Sequence, residues 1–106
     1  MVDFWKKMSG IDQGLAEKAV ALRDYVFREG ALSQTTKELV YVGICSAMRL
    51  PVATRVHAER ALEYGATRAQ IYEAVALSVA AAGIPAYREA VTLLQDILWP
   101  ADRDSP

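Results

Sequence analysis

The sequence predicts an all-α fold, a single-domain helical bundle of about five main helices with a short N-terminal helical arm. Three observations carry this. No segment holds a sustained apolar–polar alternation of period two. Apolar residues recur at helical spacing in the long segments between Gly and Pro breaks. Leu39 to Met48, LVYVGICSAM, is apolar nearly all round, the composition of a helix buried on most faces at the centre of a domain.

Residues Met1 to Ser9 place Phe4, Trp5 and Met8 at i, i+1 and i+4, as in a short amphipathic helix that packs by its aromatic face. Gly10 breaks it, so residues 1–10 form the arm. From Ile11 to Glu29, Leu15, Ala19, Leu22, Val26 and Phe27 keep helical spacing, and Gly30 is the stop. Ala31 and Leu32 form a short connector. Ser33 is a good N-cap for the central helix, which runs to about Leu50. Pro51 suits the first position of the next helix, Pro51 to Tyr64, because its missing N–H is not needed there; Gly65 stops that helix. Thr67 and Gln70 match a capping box. They open a helix from Ile71 to Ala82, and its Ala80-Ala81-Ala82 end permits close approach of another helix. Gly83-Ile84-Pro85 is a break and restart. Ala86 to Trp99 is the last helix, with Ala90, Val91, Leu94, Ile97 and Leu98 toward the core. Pro100 ends it, and residues 101–106 read as a frayed tail. With no repeat, low-complexity tract or linker, the chain reads as one domain over 1–106.

Composition narrows the function classes. The chain has 106 residues, enough for one modest core. Its 12 Lys+Arg against 13 Asp+Glu give a net charge of -1 and no basic patch, which removes the electrostatic footprint of nucleic-acid binding. The apolar share is 53%, slightly above the usual ~45–50%. A small domain with that excess often buries part of it against another subunit. No apolar run approaches the ~20 residues that span a bilayer, so no membrane partner is expected. MVDFWKKMSG has neither the apolar core nor the cleavage site of a secretory signal. The single Cys45 excludes an intramolecular disulfide, and a soluble cytoplasmic protein is the expectation.

Two residues stand out chemically. Glu38 lies in the first turns of the apolar central helix, where burial opposes charge and the helix N-terminus favours the anion. Its plainer reading is a surface acid at a helix start. His57, the only histidine, lies one helix later. Ala53 and Ala61, one turn to either side, leave space around the imidazole, and Arg60 and Tyr64 share its face. The plainer reading there is a half-buried structural histidine. Cys45 falls seven residues after Glu38, near the same face. A lone cysteine with a histidine is a nucleophile pattern, but Ile44, Ala47 and Met48 surround Cys45 with apolar groups, and it reads as a small core residue. One histidine and no cysteine cluster make no zinc site.

Ser33 to Val40, SQTTKELV, resembles the helix start of the carboxymuconolactone decarboxylase-like superfamily, which includes alkylhydroperoxidase D. His57 to Thr67, HAERALEYGAT, resembles its histidine segment, at the family's separation from the glutamate. Gly83-Ile84-Pro85-Ala86, followed by Glu89-Ala90, resembles its later Gly-Val-Pro-Ala segment. The likeness covers about Leu32 to Leu94. The peroxidase branch carries a Cys-x-x-Cys before the histidine; here those positions are Leu50 and Ala53, so the chain looks more like the decarboxylase branch. Tyr87 and Arg88 also stand where that branch often has a small residue and Asn, a departure from the pattern for its lactone substrate. The resemblance implies an alkylhydroperoxidase D-like all-α fold, a homo-oligomer (trimer or hexamer) and a pocket near Glu38 and His57.

The leading functional reading is a cofactor-independent acid–base enzyme, a decarboxylase or related lyase or isomerase, acting on a small organic acid or lactone. Glu38 and His57 are its candidate catalytic residues, and Arg60 and Tyr41 its candidate substrate-binding residues, with no metal. A second reading is the thiol peroxidase activity attached to the superfamily, which lacks its dithiol here. A third is a non-catalytic oligomeric binding module.

Overall fold

The structure is a computed structural model and describes residues 4–99. The first residues of the arm, the Pro100 stop and the tail at 101–106 lie outside the described residues. Among the described residues there are seven helices and no strand: α1 (Phe4–Met8), α2 (Gln13–Val26), α3 (Gln34–Met48), α4 (Pro51–Glu63), α5 (Arg68–Ala76), α6 (Ser78–Leu93) and α7 (Gln95–Leu98). The all-α expectation holds. The chain divides after Gln34 into two compact units.

In the first unit, the Phe4 and Trp5 rings of α1 meet edge-on at 5.0 Å. The chain turns at Gly10, whose N–H donates to the Lys7 carbonyl. Asp12, not singled out in the sequence, caps α2: its Oδ1 accepts from the Leu15 N–H at 3.0 Å. α2 ends at Val26, three residues before the expected end at Glu29, and Arg28 donates back to the Tyr25 carbonyl at 2.7 Å. Of the apolar positions at helical spacing, Leu15, Leu22 and Val26 are each more than half exposed and Ala19 and Phe27 are partly buried, whereas the small Ala16 is buried.

In the second unit, α3 and α4 form a hairpin held at both ends. At the α3 C-terminus the Leu50 N–H donates to the Cys45 carbonyl and the Arg49 N–H to the Ser46 carbonyl, the paired bonds of a Schellman turn. Arg49 occupies the left-handed position, at φ 58°, that usually takes glycine. Pro51 explains the tightness, since it keeps Leu50 out of the helical region and starts α4 at once. At the other end the Thr35 hydroxyl donates to the Tyr64 carbonyl at 2.9 Å. α4 closes with the same motif, Ala66 N–H to Ala61 carbonyl and Gly65 N–H to Leu62 carbonyl, with Gly65 at φ 98°.

Thr67 and Gln70 form the expected capping box before α5. The next break departs from the sequence reading. α5 and α6 are bent by 104° at Leu77, inside the stretch expected to be one helix. Gly83 (φ 82°) then kinks α6 just before Pro85, where the break was expected. No single described helix is long and apolar enough to cross a membrane. Beneath these helices Val42, Ala58, Ala61, Ile71, Val75, Ala90, Leu94, Ile97 and Leu98 pack into one core. The last turn is strapped by arginines: Arg55 pairs bidentately with Asp96 at 2.6 Å and reaches the Leu93 carbonyl, and Arg68 donates to the Ile97 carbonyl.

The central helix leaves one face exposed. Val40, Ile44 and Met48, at i, i+4 and i+8, are 51%, 46% and 63% exposed. They border an apolar groove of about 380 Å³ lined also by Leu39, Gly43, Leu77 and Ser78. Ala80, Ala81 and Ala82 are exposed, so no helix among the described residues uses the close approach they permit. The close approach falls at Gly43, where a Cβ would stand 3.1 Å from the Ala74 carbonyl oxygen.

Candidate active site

Helical spacing brings the chemistry to one face of α3. Glu38, Tyr41, Val42 and Cys45 stand at i, i+3, i+4 and i+7, and Glu38, Val42 and Cys45 are all but inaccessible. The Schellman turn at Arg49 lays α4 back along that face. Glu38 Oε1 then lies 2.5 Å from His57 Nδ1. The contact is buried, with Glu38 at 2% and His57 at 8% exposure. The plainer reading of Glu38 as a surface acid is overturned. The carboxylate accepts from Nδ1–H, which selects the tautomer or holds the imidazolium. Thr54, one turn before His57, is buried with its hydroxyl donating to the Leu50 carbonyl at 2.8 Å, so it adds no polar group beside the ring.

Tyr41 packs edge-on against His57, with ring centroids 4.5 Å apart and planes at 84°. Its hydroxyl bonds to the Cys45 thiol one turn on. Burial pushes the Tyr41 phenol up, and the bond to Cys45 pushes it further, so it stays a proton donor at neutral pH. Burial also raises the Cys45 thiol, outweighing the Tyr41 bond that lowers it, and Cys45 remains a free, buried thiol. A raised, inaccessible thiol is a poor nucleophile. This agrees with the reading of Cys45 as a small core residue. Its link to Tyr41 was not drawn from the sequence, although the i, i+4 spacing was the available signal.

Arg60 sits three positions beyond His57 on α4 and is half-buried. Among the described residues it forms no ion pair. Leu50 and Ala53 hold the positions where a dithiol would stand. Tyr87, at the other departure from the pattern, shares a hydrogen bond between hydroxyls with Tyr72 at 2.7 Å and so joins α6 to α5.

The described residues thus form an all-α bundle that buries one carboxylate against one imidazole on consecutive helices joined through a proline. This chain is a member of the carboxymuconolactone decarboxylase family, whose model matches residues 13–96. It is also 38% identical over 56 residues to a protein of Paracoccus denitrificans described as "uncharacterized protein 4 in cox locus". That match takes in 53% of this chain, and the chain spans about half the length of this curated relative.

Proposed function

We propose that the protein is a cofactor-independent acid–base enzyme, a decarboxylase or related lyase or isomerase of a small organic acid or lactone. The observation that carries this reading is the buried 2.5 Å contact between Glu38 and His57. What little exposure the pair retains belongs to His57, which supports His57 as the group that meets substrate and Glu38 as the group that orients and charges it. In a decarboxylation the bond from carbon to carboxylate breaks, carbon dioxide leaves, and the electron pair stays on the carbon as an enolate. His57, as the imidazolium with Nδ1–H held by Glu38, delivers the proton from Nε2 to that carbon and is left as the neutral Nδ1–H ring. Arg60, on the same helix and without a carboxylate partner among the described residues, is the candidate to hold the substrate's anion. A thiol peroxidase is less well supported, because the one cysteine is inaccessible and its thiol is raised.

The working form we propose is a homo-oligomer, a trimer or hexamer. It is supported by the apolar face of Val40, Ile44 and Met48 beside exposed Leu77. The cytoplasm is the compartment we assign, in keeping with a lone cysteine kept as a thiol. Light scattering after size exclusion tests the assembly, and a clean monomer of 11.6 kDa overturns it.

The kinetic test begins with a screen of small lactones and keto acids for turnover. On any substrate found, Glu38→Gln and His57→Gln should each lower turnover by at least ~10²-fold, and the double variant should be little worse than the weaker single. Full activity in either single, or losses that multiply, refute a coupled pair. A folded oligomer that turns over none of these compounds favours the binding-module reading.

A further inference from the structure

We infer that the exposed seam of α2 from one copy of this chain docks in the apolar groove that α3 forms with the α5–α6 bend of a second copy. The inference deepens the homo-oligomer reading and rests on it; it supplies the two surfaces that meet.

On α2, Leu15, Lys18, Leu22 and Tyr25 stand at i, i+3, i+7 and i+10. That is the two-in-seven spacing of a narrow seam that packs along one other element. All four are exposed, the three apolar ones by more than half. Ala16, the buried residue of α2, lies off this seam. The seam is therefore a convex apolar ridge, one helix wide, with a single charge in it.

The groove is its concave counterpart. Its large exposed side chains are Val40, Ile44 and Met48 of α3 and Leu77 at the bend. Gly43 and Ala81 line it with almost no side chain, so the ridge of another helix can come close. An incoming helix would also use the approach that exposed Ala81 permits.

Charge and area both point to a second copy. Lys18 puts one positive charge in the seam. Glu73, exposed and one turn before Leu77 on α5, puts a carboxylate at the edge of the groove. Neither side chain has an ion-pair partner among the described residues. Seated together, the two neutralise one another and fix the direction of docking. The seam and groove side chains with Lys18 and Glu73 expose on the order of 1,000 Å² in all, the lower limit for a specific interface. The two faces differ, so each copy gives its seam to one neighbour and its groove to another, and such head-to-tail contacts close into a ring. Pairing α2 with α2 would instead set two lysine-bearing seams together and leave the groove open.

The test is cross-linking between chains. Leu22→Cys and Leu77→Cys chains carrying different affinity tags are co-expressed and treated with a short bis-maleimide. The wild type, whose Cys45 is buried, gives the background. Links should join one chain of each kind, through residues 22 and 77 in the peptide masses. Should Leu77→Cys not fold, Val40→Cys on the α3 side of the groove takes its place. An oligomer linked mainly between like chains, or not linked above background, overturns the inference and leaves the assembly standing. A clean monomer in light scattering overturns both. Lys18→Glu and Glu73→Lys should each raise the concentration of half-assembly at least ~10-fold, and the double charge reversal should recover it. Singles without effect, or a double that does not recover, refute the Lys18–Glu73 contact. Neither readout uses turnover, so a failure of the acid–base reading leaves the result unchanged.

Discussion

Replacing both members of the Glu38–His57 pair should harm stability less than replacing either one. The pair is nearly inaccessible, and its two polar atoms are satisfied by one another at 2.5 Å. Glu38→Met keeps the bulk of the side chain but strands a buried imidazole N–H. His57→Leu strands a buried carboxylate. Removing one partner of a buried charged pair costs ~3–5 kcal/mol, because the survivor pays for desolvation without a partner. Against a total stability of ~5–15 kcal/mol, that is a large fraction for a domain of this size. In the double variant both polar groups are gone, and an apolar pair of similar volume is often neutral or stabilising. The coupling energy should therefore reach ~6 kcal/mol or more in favour of the double variant. Urea unfolding at fixed protein concentration reads it out, since self-association would otherwise shift the midpoint. With a slope near ~1.5 kcal/mol/M, each single should lose about 2–3 M of midpoint and the double most of neither. A double variant whose loss equals the sum of the singles would refute the argument that the two groups satisfy each other.

Two glycines should resist substitution for different reasons. Gly43→Ala puts a methyl 3.1 Å from the backbone oxygen of Ala74, which cannot rotate away, and should cost ~1–3 kcal/mol in a thermal melt. Gly65→Ala meets nothing within 4 Å but must adopt φ 98°, and should cost at least ~1 kcal/mol. Ser78→Ala removes a buried hydroxyl with no partner among the described residues and should be neutral or stabilising in the same melt. The Arg55 guanidinium holds the Asp96 carboxyl down to about 2 from its ordinary 3.8. A depressed carboxyl stabilises the fold above its ordinary range and loses that contribution as pH falls through the folded value. The urea midpoint of the wild type should therefore exceed that of Asp96→Asn at neutral pH, with the gap closing between about pH 4 and pH 2; a gap that widens on acidification would contradict the clamp.

Much of the site was legible in the chain because its determinants are local. Pro51 must start a helix, Gly65 tolerates a positive φ, and Thr67 with Gln70 caps the next helix through bonds spanning three residues. Those boundaries set the lengths of α3 and α4, and the lengths set which turn of α4 faces Glu38. The sequence by itself thus determined α3, α4 and the turn between them, and pointed to the meeting of Glu38 with His57. Other features depend on contacts distant in the chain. The bend at Leu77 falls where no breaker residue stands, so local propensity argued for one continuous helix. The Arg55–Asp96 and Arg68–Ile97 clamps join residues 41 and 29 positions apart, and no spacing rule links them. Apolar periodicity also shows which faces of α2 and α3 seek burial, but not what buries them. Leu22, Ile44 and Met48 satisfy the helical pattern and still face outward in this chain. Only the tertiary structure separated the face of α3 that holds the acid–base pair from the face left open, because burial depends on what packs against a helix and not on the helix alone.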